Sequence, residues 1–376
     1  MYVILAIISI VLLVIGIYKI KYQFWSRQPV FHFHNLKYWL VPPGIIQHDK
    51  PQRDKYYDNN IFFDSYFNTP TKKKELFVRF IQNHFLPHKN EKYNPPKNAV
   101  LNYFKAHNNK SYLSMIHDKN THKLIGTFST RPLDCYVENK KLPLYYVDFL
   151  CVHQSYRKKG IAPKLIYSHY VNSRNKNKNA VFLFKREGAV TLIVPLTAYK
   201  NYMFDICYWD KLVKFDQPNI RTILINKQCF HHFIYVYERL RTKFKCLIIP
   251  NLNHLELLLK DKQIFITVTL IDNEPNDCFI FRNTYTTYDS KGSVECIGSF
   301  QETDTSVFVL GFMCSVSLIY ENTKFTRLFI ENISNNNIII KSILKRYQPV
   351  LKTDASYYFY NFGYRPFESK DVFILN

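Results

Sequence analysis

The chain has 376 residues, 47% of them hydrophobic, and a formal charge of +22 at neutral pH. That apolar content excludes a globally disordered chain and supports two domains of ordinary size or one large one. The basic excess predicts attraction to anionic partners, but no zinc-finger, RRM or basic-zipper pattern accompanies it, so nucleic acid is not an expected partner.

In chain order the first element is Tyr2 to Tyr18, 17 residues without a charge. At about 1.5 Å per residue a helix of that length spans roughly 25 Å, enough for a thin hydrocarbon core. No Lys or Arg precedes the run and no small-x-small cleavage site follows it, which argues against a cleaved signal peptide. Lys19, Lys21 and Arg27 flank its C-terminal side. The reading is an uncleaved single-pass anchor over residues 1–20, with the body of the protein in the cytosol.

Glu75 to Phe85 reads as an amphipathic helix, and Asn98 to His107 as another after Pro95-Pro96. Ser111 to Asp118 and Lys123 to Pro132 read as paired strands joined by the polar turn at Lys119 to His122. Leu144 to Val152 is a further strand, running into a basic loop and a helix from Ala162 to Ser173. Near residue 215 the alternation restarts. A helix is expected at Phe230 to Arg241, strands at Gln263 to Ile271 and Cys278 to Tyr285, and a last strand at Tyr357 to Tyr364. The organisation expected is α/β: an N-terminal half over 21–215 and a similar C-terminal half over 216–376.

The eight cysteines stand far apart and form no CxxC, the pattern of buried thiols in a reducing compartment rather than a disulfide or zinc framework. His32-x-His34 and His231-His232 lack further ligands at metal-binding spacing, so no metal is expected.

The informative stretch is VDFLCVHQSYRKKGIAPKLI, Val147 to Ile166. A hydrophobic strand ends in Arg157-Lys158-Lys159-Gly160-Ile161-Ala162, and Pro163 sits in the first turn of the helix that follows. This R-x-x-G-x-A is similar to the pyrophosphate loop of acyl-CoA-dependent acyltransferases of the GNAT class. Free amides at a helix N-terminus face an anion, glycine permits close backbone approach, and nearby cations neutralise phosphate.

More specifically, the chain resembles the N-myristoyltransferase family. That family's N-F-L-C-V-H, followed by R-S-K-R-x-A-P-x-L-I, is matched here by Phe149-Leu150-Cys151-Val152-His153 and by Arg157, Lys159, Ala162, Pro163, Leu165 and Ile166. Near the start, Tyr22-Gln23-Phe24-Trp25 and Gln28-Pro29-Val30 resemble Y-x-F-W-x-T-Q-P-V. Lys123-Leu124-Ile125-Gly126 with Pro132 resembles K-L-V-G-F-I-S-A-I-P, and Tyr357 to Phe362 resembles Y-Y-L-Y-N-W.

The resemblance implies two fused GNAT-like halves with a mixed central sheet. The N-terminal half would bind myristoyl-CoA as co-substrate, with no permanently bound cofactor. Tyr22, Gln23, Phe24, Trp25, Leu150, Cys151, Val152 and the loop Arg157, Lys158, Lys159, Gly160, Ile161 and Ala162 would hold it. The backbone N–H groups of Phe149 and Leu150 would polarise the thioester, and the α-carboxylate of Asn376 would deprotonate the N-terminal glycine of a protein substrate. A monomer is expected. Three departures fall on the peptide side: Leu183 stands where the family has Thr, Phe85 where it has Tyr, and Phe204 in a Y-W-H stretch. They leave a second function open, an acyl-CoA- or lipid-binding interaction protein that has lost turnover. A general GNAT acetyltransferase is a third.

Overall fold

The computed structural model describes residues 2–85, 91–138, 140–209 and 213–376. Its first element is the helix Tyr2–Lys21, whose Leu5, Ile10, Leu12 and Leu13 side chains stand exposed. The helix Thr305–Thr323 has the length and composition to cross a membrane, but it is a core helix. Its Phe308 and Phe312 rings pack against Phe279 at 5.0 and 5.7 Å.

The body is built on one mixed sheet of 15 strands among the described residues. Leu124–Val137 is its longest early strand, and its first ten residues are all buried. Tyr112–His117 pairs antiparallel with residues 124–130 of that strand, and Cys246–Ile249 with residues 134–137. On the opposite edge runs Lys140–Val152. The sheet continues through Val181–Glu187, Leu351–Tyr360 and Thr197–Asp205 into Arg327–Glu331, and then to the C-terminal strands. A strand from beyond residue 350 thus lies between two strands from before residue 206.

The expected early elements are present with shifted ends. Thr71–His84 is helical and buries Phe77, Val78, Phe80 and Ile81, the apolar face read from the sequence. The helix expected over Asn98 to His107 is shorter, Lys97–Asn102. Ala106 then takes a left-handed φ of 57°, which ends the helical path while Phe104 is fully buried. Strands Val181–Glu187, Thr197–Asp205 and Lys291–Phe300 were not anticipated.

Two irregularities in Lys140–Val152 create the working space. The strand lies parallel to Val181–Glu187 but pairs with it only over Leu144 to Tyr146. Beyond Tyr146 the two strands diverge and leave a wedge. Along the other edge the register slips between Thr127 and Ser129, so that Phe149 and Leu150 together stand opposite Phe128. Phe149 sits at φ 50°, a left-handed conformation rare for a bulky residue. Such a bulge leaves an extra residue out of the ladder and turns the strand.

Candidate active site

A cavity of about 310 Å³ occupies the wedge. Val147, Asp148, Phe149 and Leu150 border it on one strand, Phe182, Phe184 and Lys185 on the other. Trp25 closes one side, stacked on Phe184 with ring centres 5.5 Å apart. The decapeptide Lys21 to Val30 is therefore a wall of this cavity, and the far end of the sequence secures it. The Tyr360 hydroxyl donates to Gln28 Oε1 at 2.5 Å, and Asn361 N–H to the Pro29 carbonyl at 2.8 Å.

Not every residue assigned to the cofactor lines this space. Tyr22 and Gln23 are exposed, Phe24 is buried against Tyr56, and Trp25 and Leu150 border the cavity. The Cys151 side chain lies in a separate cluster with Phe77 and Leu113. Burial pushes its thiol up to about 12, so it is not a thiolate nucleophile at neutral pH. Val152 packs beside Ile125 and Leu165.

The basic loop lies at the N-terminus of helix Ile161–Lys176, capped by Gly160 at φ 76°. A Cβ at Gly160 would meet nothing within 4 Å. The requirement for glycine here is its left-handed backbone, not room. Lys158 is also left-handed, at φ 62°. Arg157 braces the loop, donating from Nε to the Val152 carbonyl at 3.2 Å and from Nη2 to the His84 carbonyl at 3.3 Å. Lys158 and Lys159 are exposed, and the N-terminal end of the helix carries the partial positive charge of aligned peptide dipoles. The loop therefore presents a positive surface to solvent.

A second cavity of about 270 Å³ lies on the other side of the bulge and shares Phe85, Asp148, Phe149 and Lys185 with the first. Its walls come from both halves of the sequence and include Tyr103, Glu187, Arg282 and Glu295. Beneath it is a buried charge network. Lys185 Nζ contacts Glu331 and lies 3.5 Å from Glu295. Arg282 Nη2 is 2.5 Å from Glu295, and Tyr199 donates its hydroxyl to Glu331 at 3.1 Å. Burial pushes the Glu331 carboxyl up to about 7, with Lys185 opposing the rise and Glu295 adding to it. Glu295 goes the other way: burial works against its ionisation, but Lys185 and Arg282 overcome that and hold it below the usual carboxylate range.

Asn376 meets this network. Strand Val372–Ile374 runs parallel to Cys246–Ile249, and Leu375 N–H donates to the Ile248 carbonyl at 2.8 Å. Asn376 is 2% exposed. Arg282 Nη1 donates to its main-chain oxygen at 3.1 Å, and the Tyr357 hydroxyl to its Oδ1 at 3.2 Å.

Asp148, the residue before the bulge, borders both cavities and pairs with the buried Arg131 at 3.0 Å. Burial raises its carboxyl, and Arg131 pulls it back. Both members of the pair depart from the motifs that the chain resembles, which carry Asn and Ile at these positions. Of the other departures, Phe85 borders both cavities. Leu183 and Phe204 are fully buried in separate cores and border neither.

Sequence reading missed Lys185, Arg282, Glu295 and Glu331. A signal existed: each is a charge within or directly after an apolar run, as in VFLFK, CFIFR, SVEC and LFIE. Among the described residues, no three His, Cys, Asp or Glu side chains gather as a metal site.

A bulged strand, a diverging parallel neighbour and a basic loop at the next helix together define an N-acyltransferase-like fold. Residues 56–186 match the family model for the N-terminal domain of myristoyl-CoA:protein N-myristoyltransferase. Over those residues the chain is similar to the N-terminal domain of the N-myristoyltransferase family. A sequence search of the curated proteins finds no match. Among solved structures, the Saccharomyces cerevisiae N-myristoyltransferase with bound myristoyl-CoA superposes with a TM-score of 0.72 at 18% identity, covering 92% of this chain and 94% of that one. Another structure of that enzyme with bound myristoyl-CoA gives 0.73 at 18% identity, covering 93% and 90%. A third, with myristoyl-CoA and inhibitors, gives 0.73 at 18% identity over 92% and 91%. At this identity the structural likeness carries the fold.

Proposed function

We propose that this chain transfers a long-chain acyl group, myristoyl, from acyl-CoA to the N-terminal glycine amine of proteins. The observation that carries the reading is the bulge at Phe149 and Leu150, placed where an apolar cavity and a polar one meet. The thioester lies at that junction, its acyl chain in the first cavity and its pyrophosphate at Lys158 to Ala162. The Phe149 and Leu150 N–H groups stabilise the oxyanion that forms when the amine attacks. The peptide enters through the second cavity.

An α-amino group with a pKa of about 8 is mostly protonated at neutral pH, so attack needs a proton acceptor. We assign that role to the main-chain carboxylate of Asn376, supported by its burial and its contact with Arg282. The amine's lone pair forms the new amide bond while the C–S bond breaks, and the proton shed by the attacking nitrogen passes to the departing sulfur, so that CoA leaves as the thiol. Both cavities are complete in one chain, in keeping with a monomer.

The helix Tyr2–Lys21 is assigned as a membrane anchor that leaves the body in the cytosol. Its exposed apolar side chains and its basic C-terminal flank support this. Full-length protein in an alkaline-carbonate supernatant would remove the anchor from the proposal.

The decisive assay is release of free thiol from myristoyl-CoA, with detergent present, on addition of peptides that begin with Gly or with Ala. Release dependent on Gly is expected. Tight acyl-CoA binding with no release for any peptide would favour the lipid-binding alternative, although the burial of Leu183 and Phe204 away from both cavities removes two of the reasons for it.

A further inference from the structure

We propose that residues 31–41 form a second membrane contact beside the helix Tyr2–Lys21, inserting Leu36, Trp39 and Leu40 into an anionic bilayer surface. The inference rests on the anchor assignment above but uses different residues.

The segment that follows the helix folds back along its end. The Tyr18 ring lies 5.4 Å from His32 and 5.8 Å from His34. Beyond this contact the chain exposes a dense run of large apolar side chains: Leu36 is 77% exposed, Trp39 63% and Leu40 81%. Phe33, Val41 and Leu192 extend the exposed patch, and Phe33 N–H donates to the Leu192 carbonyl at 3.0 Å, which places the two stretches side by side. Scattered exposed hydrophobics are ordinary on a soluble surface, whereas a contiguous cluster of this kind marks an interaction site.

The patch stands on a fixed base. Tyr38 packs on Phe31 at 5.5 Å, and the Phe31 ring lies so close to Gly363 that a Cβ there would come within 2.3 Å of it. The one polar atom of the Trp39 side chain is satisfied internally, donating to the Phe33 carbonyl at 3.1 Å. An apolar side chain with its polar atom satisfied and its face exposed is suited to the headgroup boundary, where tryptophan concentrates.

Charge identifies the occupant. Residues 1–48 contain Lys19, Lys21, Arg27 and Lys37 and no Asp or Glu. Arg186 adds a further cation near the end of strand Val181–Glu187, bonded to the Ala189 carbonyl at 3.1 Å. A surface with apolar side chains at its centre, only cations in its own segment and a membrane helix at its edge fits anionic lipid. It does not fit a second copy of this basic chain. The arrangement also bears on substrate supply. Val30 and Ile193, next to the patch, belong to the same buried cluster as Phe24, against which Trp25, a wall of the acyl cavity, is packed. Insertion would hold that cavity at the lipid surface, into which long-chain acyl-CoA partitions.

The test uses full-length protein reconstituted into phosphatidylcholine–phosphatidylserine vesicles with lipids brominated near the headgroup, which quench tryptophan only at contact. Wild-type protein should show a quenched component that is lost in Trp39→Phe and in Leu40→Asp, while myristoyl-CoA binding reports that both variants are folded. Carbonate extraction of the same vesicles reads the helix independently. Resistant protein with quenching shows both contacts, and extractable protein with Trp39 quenching shows the patch acting without a spanning helix. Resistant protein whose emission is identical in wild type and Trp39→Phe overturns the proposal while leaving the anchor intact. Trp39 emission that responds to protein density but not to brominated lipid would assign the patch to self-association and overturn it equally.

Discussion

The two cavities share the bulge at Phe149 but are assembled differently. The wedge cavity is bordered largely by short stretches of neighbouring residues: 146–150, then Phe182, Phe184 and Lys185, with Trp25. Its lining is aromatic and aliphatic except at Asp148, His169 and Lys185. The second cavity takes its walls from residues spread between 85 and 329 and carries charges of both signs. A ligand of constant chemistry can be held by local motifs, because strand, bulge and phosphate loop follow one another along the chain. A groove for variable peptides is built from single positions on many strands, and its electrostatics emerge only when the sheet assembles. The largest tests of this contrast therefore fall on the charged side.

Lys185→Met should have the greatest effect. It leaves the buried carboxylates of Glu295 and Glu331 short of their shared cation, and breaking a buried pair from one side costs about 3–5 kcal/mol. Urea unfolding should show a loss of that order, and Lys185→Met/Glu331→Gln should recover most of it. An unmoved midpoint would mean that the network has little energetic weight.

The same network predicts how stability responds to pH. Glu331 has an ordinary value of 4.5 and is raised to about 7 in the fold. A carboxyl raised in the folded state contributes stability that is full below pH 4.5 and is lost as pH climbs through 7. Glu295 is lowered instead, so its contribution holds above its ordinary value and fails only in more acid solution. Between pH 5 and 7.5 the contribution of Glu331 to the unfolding free energy should thus fall by about 1–3 kcal/mol, read as the difference between the wild-type and Glu331→Gln profiles. Wild-type and Glu331→Gln profiles that run parallel across this window would show that Glu331 does not titrate there.

Legibility followed the same division. The strand Leu144 to Val152, the basic loop and the helix after it were readable because hydrophobic run, Gly160 and Pro163 stand in order. The decapeptide Lys21 to Val30 was recognisable, although its partner Tyr360 lies more than 300 residues away and the bond between them was not. The register slip opposite Phe128 left no mark in composition. Lys185, Arg282, Glu295 and Glu331 looked like unrelated charges in or after apolar runs, since nothing local says that four separate strands will bring them together. Leu183 and Phe204 misled for the same reason: alignment to a motif gives a position, not the direction in which the side chain is buried.

On the wedge side, effects should be smaller and confined to the cofactor. Gly160→Val forces a β-branched residue to φ 76°, a left-handed conformation costing about 1–2 kcal/mol. Weaker acyl-CoA binding should accompany that loss. Lys158→Glu and Lys159→Glu should each weaken acyl-CoA binding about two- to fivefold at low salt, with the difference shrinking as salt screens it. Titration calorimetry at two ionic strengths measures both. Unchanged affinity in all three variants would reduce the loop to a solvated turn.

The smallest expected change is the most discriminating. Phe85 borders both cavities, with its ring 5.2 Å from Tyr93 and 6.0 Å from Phe149. Phe85→Tyr adds one hydroxyl. In the wedge cavity that hydroxyl would lose water with few partners to replace it, and acyl-CoA affinity would drop. In the second cavity it would join Tyr103, Lys185 and Glu187, where a hydrogen bond contributes about 0.5–1.5 kcal/mol. Because the second cavity is the polar one, the peptide KM should shift by about two- to tenfold while acyl-CoA affinity stays constant. The reverse result would place Phe85 on the acyl side and move the boundary between the two cavities outward from the bulge.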